Sequence, residues 1–343
     1  MNARLKVGVV GAGFGGLVHV PAFRAQGRFD VVAIASPNRA AAVAKERNVP
    51  NSFESVGAML NAIDIDVVSV ASPPFDHRAS VLAALERGKH VLCEKPFGLN
   101  VAECEEMVAA AKRAGTVCAI AHEFRYTPSR QAMKELIDNG HLGALREIES
   151  SVLHMFLRAS TERANSWWFE HRRGGGITGA ILSHMVDQTN WLAGRPPKRV
   201  VGFERTANPT RTYKGATFTS DVADGAFVLL DYGDGLVGRA VADGTRPVES
   251  ATLAVHGELR AAAATGPNVI DATMFAIDEE ETAELELSAP KHAKLASVHP
   301  NVPPFVELLD AFVDAIDGKP ATLPTFADGL ETQRVLEAIG YKA

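Results

Sequence analysis

Leu5-Lys6-Val7-Gly8-Val9-Val10 runs straight into Gly11-Ala12-Gly13-Phe14-Gly15-Gly16. The first half is a valine-rich apolar run of the kind that fills a buried strand. In the second half Gly11, Gly13 and Gly16 fall at GxGxxG spacing, and a helix-compatible segment follows. That context gives each glycine a task. Gly11 permits a tight turn, Gly13 lets the main chain approach a pyrophosphate, and Gly16 lets helix and strand pack closely. The phosphate charge would rest on the helix N-terminus. Gly11, Gly13, Phe14, Gly15 and Gly16 are therefore candidate dinucleotide contacts. The competing reading is a glycine turn that only packs.

The second strand, Val31-Val32-Ala33-Ile34-Ala35, ends at Ser36-Pro37-Asn38-Arg39. NAD sites of this kind place an acid at that strand end, about 20 residues past the loop, to bond the ribose 2′-hydroxyl. Ser36 stands there instead, 20 residues past Gly16. A hydroxyl, an amide and a guanidinium suit a 2′-phosphate better than a bare ribose. Ser36, Asn38 and Arg39 thus favour NADP(H), with NAD(H) as the other option. For Arg39 the plain alternative is a solvated first-turn residue.

Asp66–Ala71 reads as another strand, and Ser72-Pro73-Pro74-Phe75 leaves its carboxyl end. Proline rigidity there suits a wall against the cofactor, so Ser72 and Pro73, with His77 just beyond, join the candidate cofactor contacts. A helix is expected over Asp76–Arg87, with Gly88 just past its end. Then comes His90-Val91-Leu92-Cys93-Glu94-Lys95-Pro96-Phe97. Val91–Cys93 is a buried strand, and it breaks into two opposite charges and a proline. In a doubly wound sheet that point lies over the carboxyl ends of the strands, where ligands bind. Pro96 restricts Lys95 to an extended conformation and permits a cis bond. A lysine held there beside a nicotinamide is placed to act as a general base, with Glu94 next to the cofactor. The competing reading is a surface Glu-Lys pair. Asn100-Val101-Ala102-Glu103 resembles a capping box for a helix to Ala114, and Val117–Ala121 is one more strand. Alternation of strand and helix predicts a doubly wound parallel α/β domain over residues 1–122.

From residue 123 the character changes. After a helix from Pro128 towards Gly140, strands are expected at Leu145–Leu157, Arg199–Glu204, Asp221–Asp231, Leu236–Ala242, Ala251–His256 and near Thr282–Leu287. Gly233-Asp234-Gly235 is the turn of a hairpin between two of them. Two helices, about 305–317 and 326–339, close the chain. This predicts an α+β domain over 123–343 on a large, mainly antiparallel open sheet. An open sheet face of that kind commonly pairs subunits, so a homodimer or homotetramer is expected. The irregular stretch 158–176 holds Trp167, Trp168 and Arg172 ahead of Gly174-Gly175-Gly176. In the next helix His184 and Asp187 stand close, but no further ligand cluster supports a metal.

The 343 residues carry 35 basic and 41 acidic side chains, a net charge of −6, and no basic stripe. Nothing there calls for nucleic acid or an anionic membrane as partner, and no apolar stretch is long enough to cross a bilayer. Met1-Asn2-Ala3-Arg4 passes directly into the first strand, without a secretory pattern. The three cysteines, Cys93, Cys104 and Cys118, have no metal-type spacing and read as free thiols of a cytoplasmic protein.

Four stretches, in order, resemble the glucose–fructose oxidoreductase/inositol dehydrogenase (Gfo/Idh/MocA) family. They are Val9–Gly16, Gly88-Lys89-His90-Val91-Leu92-Cys93-Glu94-Lys95-Pro96, Gly174–Gly176 with His184 and Asp187, and Pro324-Thr325-Phe326-Ala327-Asp328-Gly329. The match spans essentially the whole chain, and the stretch ending in Pro96 is far more specific than the glycine loop. The resemblance implies a Rossmann domain, an oligomerising open-sheet domain, and NAD(P)-dependent oxidation or reduction of a sugar, polyol or similar carbonyl. It maps the family's lysine to Lys95 and its helix histidine to His184. His122, Arg125, Trp167, Trp168, Arg172 and Asp187 are candidates for the wall of a sugar-like substrate. Ala180 stands where the family often has an aspartate one turn before the histidine, and Leu182 where a glycine is usual. Two other readings remain: a lyase or glycosidase that keeps NAD(P) bound through a transient keto-sugar, and a non-catalytic dinucleotide or sugar sensor.

Overall fold

The computed structural model describes residues 4–278 and 281–342. Met1 to Ala3, at the start of the chain, lie outside the described residues. The strands, in chain order, are β1 (Leu5–Val10), β2 (Phe29–Ala35), β3 (Asn51–Phe53), β4 (Val67–Val70), β5 (His90–Cys93), β6 (Cys118–Ile120), β7 (Leu145–Leu153), β8 (Arg199–Arg205), β9 (Thr210–Tyr213), β10 (Ala216–Thr219), β11 (Gly225–Gly233), β12 (Leu236–Asp243), β13 (Ser250–Gly257), β14 (Ala261–Gly266), β15 (Thr273–Ile277) and β16 (Thr282–Leu285). The α-helices are α1 (Val20–Gln26), α2 (Ala40–Arg47), α3 (Val56–Ala62), α4 (Pro74–Leu85), α5 (Val101–Ala114), α6 (Pro128–Asp138), α7 (Ser183–Ala193), α8 (Val302–Ile316) and α9 (Phe326–Ala338). No helix among the described residues is long and apolar enough to cross a membrane.

The chain divides into two compact units. The first runs through Tyr126 and includes Pro290–Leu330; the second holds Thr127–Ala289 and the residues from Glu331 on. The sequence division at residue 122 keeps 290–330 with the second half, whereas the packing returns that segment to the first unit. The cause is visible in the core. The first unit is a six-stranded parallel sheet in the order β3-β2-β1-β4-β5-β6. One face carries α1 and α2 over β1 and β2, but Leu92 and Ala119 on the same side also need cover. Val302, Phe305, Leu308, Leu309 and Phe312 of α8 supply it. Helices α3, α4 and α5 cover the other face through Met59, Val81, Leu85, Cys104 and Met107. Parallel strands buried on both faces explain their unbroken valine runs.

Local chemistry sets the helix starts. Asn100 Oδ1 accepts Glu103 N–H (3.0 Å), and Glu103 Oε2 reaches back to Leu99 N–H (2.9 Å), so the expected box forms one residue wider. Helix α4 begins at Pro74, earlier than the expected Asp76, because proline fits the first helical position, where no donor is needed.

The second unit is built on an eight-stranded sheet, β16-β15-β14-β13-β7-β12-β11-β8. Only the β7–β12 pair is parallel; the other pairs are antiparallel. Strand β7 alternates buried and half-buried positions, which puts Ile148, Ser150 and Val152 inward. The expected strand to Leu157 stops at Leu153, where His154 and Leu157 N–H turn to Asp243 O and Gly244 O. Likewise β11 starts at Gly225 rather than Asp221. Residues before it are engaged elsewhere: Ala223 O accepts Ile177 N–H (3.2 Å), and the Asp224 carboxylate accepts Ala207 and Asn208 N–H.

Candidate active site

In the parallel sheet one row of residues ends four strands. Val10 pairs with Val70, Val70 with Cys93, and Cys93 with Ile120. Ladder bonds carry the row one residue further. Ala71 N–H donates to Val10 O (2.7 Å), Glu94 N–H to Val70 O (2.8 Å) and Ala121 N–H to Cys93 O (2.8 Å). Whatever follows therefore emerges along one edge: the glycine loop, Ser72 and Pro73, Glu94 and Lys95, and His122 to Arg125. Gly11 N–H donates to Ala35 O (2.8 Å), which brings the Ser36–Arg39 turn to the same edge. Chain progression reverses between β1 and β4, the usual crevice for a ligand in such a sheet.

The three fingerprint glycines differ in what surrounds them. At Gly11, with φ +109°, a Cβ would lie 2.2 Å from Ala71 O, and at Gly16 it would lie 2.6 Å from Val43 Cγ1. Gly13 has nothing within 4 Å. Two glycines are thus needed for packing, and the third leaves main chain accessible. Ser72 Oγ beside them is buried and has no hydrogen-bond partner among the described residues. An open stretch of main chain and an unsatisfied hydroxyl both fit a dinucleotide. Ser36 is half-buried, while Asn38 and Arg39 are exposed at the outer end of the row.

Lys95 is half-buried, and its bond to Pro96 is cis. Glu94 before it is buried and doubly held. Its Oε1 lies 3.0 Å from His19 Nε2, and its Oε2 accepts Lys95 N–H at 3.3 Å. His19 Nδ1 in turn lies 2.7 Å from Ser69 Oγ on β4. Burial pushes the Glu94 carboxyl up, but the His19 hydrogen bond and the charges of Lys95, His19 and His77 outweigh it, leaving the group below the ordinary carboxylate value. The neighbouring Glu123 goes the other way. Burial and the negative charge of Glu94 push it up to about 8, against the opposing pull of Lys95. Asn301 Nδ2 donates to its Oε1 (2.9 Å), whereas Oε2 is buried without a hydrogen-bond partner among the described residues. Near neutrality, then, one acid beside Lys95 is ionised and the other holds its proton.

His77 lies just behind this edge, fully buried on α4. Its Nε2 is 2.8 Å from Ser72 O and its Nδ1 is 3.0 Å from Pro96 O. The ring spans the exits of β4 and β5, so this histidine meets main-chain carbonyls on both sides. Burial lowers its pKa, despite the carbonyls and Glu94. His122 and Arg125 are buried after β6, and Arg125 lies 3.6 Å from Asp328.

In the second unit, the turn entering α7 is wide. Ser183 N–H donates to Thr178 O, five residues back. Such π-type turns recur at functional sites, and one also precedes His19, where Val20 N–H bonds to Gly15 O. Ala180 sits inside this widened turn, so the expected one-turn relation to His184 is not that of a regular helix. The helix α7 is buried almost all round, including His184, Asp187 and Gln188. Ser150 Oγ donates to Gln188 Oε1 at 2.8 Å and fixes the helix on β7. At Gly175 a Cβ would lie 2.3 Å from Trp168 O, which ties the glycine run to the tryptophans. Trp168 carries the Arg163 guanidinium 4.5 Å above its ring, and Trp167 is half-buried. Arg172 is an exposed side chain, paired with Glu170 at 3.2 Å. No group of three or more metal-ligating side chains exists among the described residues.

His19, Ser69, Glu123 and Asn301 are not marked by the sequence motifs. A signal exists for two of them: His19 interrupts the apolar run Leu17–Val20, and Ser69 interrupts the valines of β4. Their partners lie 50 and 75 positions away, which local patterns do not show.

Residues 5–122 match the model of the GFO_IDH_MocA oxidoreductase family with its NAD-binding Rossmann fold, and residues 130–262 match the C-terminal domain of that family. An uncharacterised oxidoreductase of Synechocystis is 36% identical over 195 residues, 56% of this chain and 52% of that protein. The levoglucosan dehydrogenase of Pseudarthrobacter phenanthrenivorans is 29% identical over 262 residues, 69% of this chain and 67% of its own. The chain spans about half to two thirds of the length of these relatives. A solved levoglucosan dehydrogenase in complex with NADH and L-sorbose shares the fold, with a TM-score of 0.87 at 24% identity over 98% of this chain and 96% of that one. The chain belongs to the Gfo/Idh/MocA family of NAD-binding oxidoreductases.

Proposed function

We propose that the protein is an NAD(P)-dependent dehydrogenase or reductase acting on a carbinol or carbonyl carbon of a sugar, polyol or related small molecule. The observation that carries this reading is the single edge of the parallel sheet. It joins an open glycine main chain at Gly13 to a lysine at the end of β5, with the unsatisfied Ser72 hydroxyl between them. A strand spacing of about 4.8 Å puts Lys95 roughly 10 Å along the sheet from the glycine loop, since β4 lies between β1 and β5. The glycine loop, Ser72 and Pro73 would hold the dinucleotide, with Glu94 and Lys95 at its nicotinamide end. When bound, the nicotinamide supplies hydride transfer at its C4.

The chain's residues supply the proton chemistry. Lys95 and His184 are the residues proposed to carry it. His184 is assigned the proton, since histidine titrates near neutrality. His122, Arg125, Trp167 and Asp187 are proposed for the substrate wall. Trp168 and Arg172 are weaker members, because Arg163 covers the ring of one and the other is exposed. The sugar-like substrate class agrees with relatives named levoglucosan dehydrogenase and D-glucoside 3-dehydrogenase.

NADP(H) is the favoured cofactor, with NAD(H) as the alternative. Support comes from Ser36, Asn38 and the exposed Arg39 at the β2 exit, which would offer donors to a 2′-phosphate. A homo-oligomer forms through the outer face of the large sheet. Val201, Phe203, Leu229 and Val237 are each 47–61% exposed there, and Phe203 stacks on Phe227 at 5.4 Å. The free cysteines favour a reducing, cytoplasmic setting.

The test follows the absorbance of reduced nicotinamide while the protein meets NADP or NAD with a panel of sugars, polyols and glycosides, in both directions. Cofactor reduction supports a dehydrogenase, and a preference for NADP supports the Ser36–Arg39 reading. A preference for NAD removes that reading alone. Substrate conversion without net cofactor change points instead to the lyase or glycosidase, and silence with bound dinucleotide to the sensor.

A further inference from the structure

We propose that His19 is a positioning residue for Lys95, acting through Glu94, whose two oxygens it and the Lys95 main chain share. The inference rests on the assignment of Lys95 to the proton chemistry above. Its basis is a chain of contacts from three separate elements. Ser69 of β4 lies 2.7 Å from His19 Nδ1, and His19 Nε2 lies 3.0 Å from Glu94 Oε1. Glu94 Oε2 then accepts the N–H of Lys95 itself. His19 and Ser69 are fully buried, and Phe305 packs on the imidazole with ring centroids 4.4 Å apart. The histidine therefore has neither a second orientation nor solvent to turn towards.

The polarity of the chain follows from Glu94. As a carboxylate it only accepts, so His19 must present a hydrogen on Nε2. Ser69 then donates to Nδ1 if the ring is neutral, or accepts from it if the ring is charged. In either state Nε2 keeps its hydrogen towards Glu94 and the carboxylate is pinned at both oxygens. That pins the point at which the chain leaves β5, and it keeps one negative charge beside the lysine. Without the His19 bond, Glu94 would be a buried carboxylate with half its acceptor capacity unmet, and it would turn towards Lys95 or Glu123. Misplacement of a reacting group by about 1 Å lowers rate about 100-fold.

Two amide variants separate this role from simple packing. In His19→Gln the side-chain amide reaches the place of Nε2 and can still donate to Glu94. In His19→Asn the amide reaches only the place of Nδ1 and meets Ser69. Both keep a polar group in the same cavity, so a packing role treats them alike. Four quantities are measured for each: kcat, KM, dinucleotide Kd, and the rate at which acetic anhydride labels Lys95, followed by mass spectrometry in the substrate-free protein. The expected result is a kcat lowered about 10- to 100-fold in His19→Asn, with KM and Kd within about twofold, and recovery to within about threefold of wild type in His19→Gln. Lys95 labelling should change in His19→Asn and return in His19→Gln. Equal behaviour of the two variants in kcat and labelling, whether both intact or both impaired, overturns the proposal. Should the wild-type protein turn over no substrate, the dehydrogenase reading fails by itself. The labelling comparison still decides whether His19 positions Lys95.

Discussion

Gly13→Ala is expected to make the protein slightly more stable and markedly poorer at binding dinucleotide. The two effects have separate origins. Gly13 does not occupy the left-handed region, and a Cβ there meets no heavy atom within 4 Å. Alanine at such a site restricts the unfolded chain without straining the folded one, which stabilises by about 0.4–1 kcal/mol. For a domain of this size that raises Tm by about 1–4 °C. The empty space is the place through which a pyrophosphate would approach the main chain. A methyl group there should weaken binding by at least about 1.4 kcal/mol, or tenfold in Kd. Gly11→Ala is the contrasting control. Its φ of +109° and the 2.2 Å approach to Ala71 O leave a Cβ no room. It should destabilise by at least about 2 kcal/mol, with handedness alone supplying 1–2 of that. Thermal unfolding without ligand and calorimetric titration with NADP and NAD read both quantities. A Gly13→Ala protein with wild-type Kd for both dinucleotides would refute the placement of the pyrophosphate, whatever its Tm.

Lys95→Ala and His184→Ala should each lower turnover about 100-fold or more while dinucleotide Kd stays nearly constant; wild-type turnover in either variant removes that residue from the mechanism. Glu123 gives a pH signature. Its folded-state value of about 8 lies above its unfolded value of 4.5, so the folded protein holds this proton more tightly. Its contribution to stability is whole below about pH 4.5 and is lost as pH rises through about 8. Glu123→Gln should therefore flatten the fall in Tm over that interval, and an unchanged Tm–pH curve would count against a protonated Glu123. If the proposed pairing of subunits through the large sheet holds, Leu229→Glu, at a position 58% exposed, should lower the mass in solution without unfolding the chain. Light scattering that shows the same mass for wild type and variant would count against that pairing.

The readable parts of the chain are those in which local pattern and final contact coincide. Gly11 to Gly16 lie within one loop, and the change from Cys93 to Glu94-Lys95-Pro96 is a strand end wherever the chain is folded. The structure has the loop directly after β1 and Glu94 directly after β5. Strands with weak local character were not legible. The alanines of β14 fit a helix as well as a strand, and they become a strand because β13 and β15 pair on either side. Short β3, β9 and β10 have too few residues for a period to show. Helix α8 reads as a terminal helix of the second half, yet its apolar face fills the uncovered side of the first sheet.

The same distinction runs through the site. Lys95 is visible from its neighbours in sequence, but what surrounds it comes from elsewhere: His19 from the helix after the glycine loop, Ser69 from β4, Glu123 from beyond β6, and Asn301 from 178 residues further on. Sequence pattern marks the residue that projects from the strand end and not the distant groups packed near it. Glu94 and Glu123 show why the omission matters. As carboxylates of equal intrinsic strength they would be indistinguishable in a sequence. Placed around one lysine, they diverge because His19 hydrogen-bonds to one, while burial and its neighbour's charge keep the proton on the other. A parallel sheet makes this possible, since every strand delivers its next two or three residues to the same edge. The local motif thus marks where chemistry can occur, and the strand order determines which distant side chains tune it.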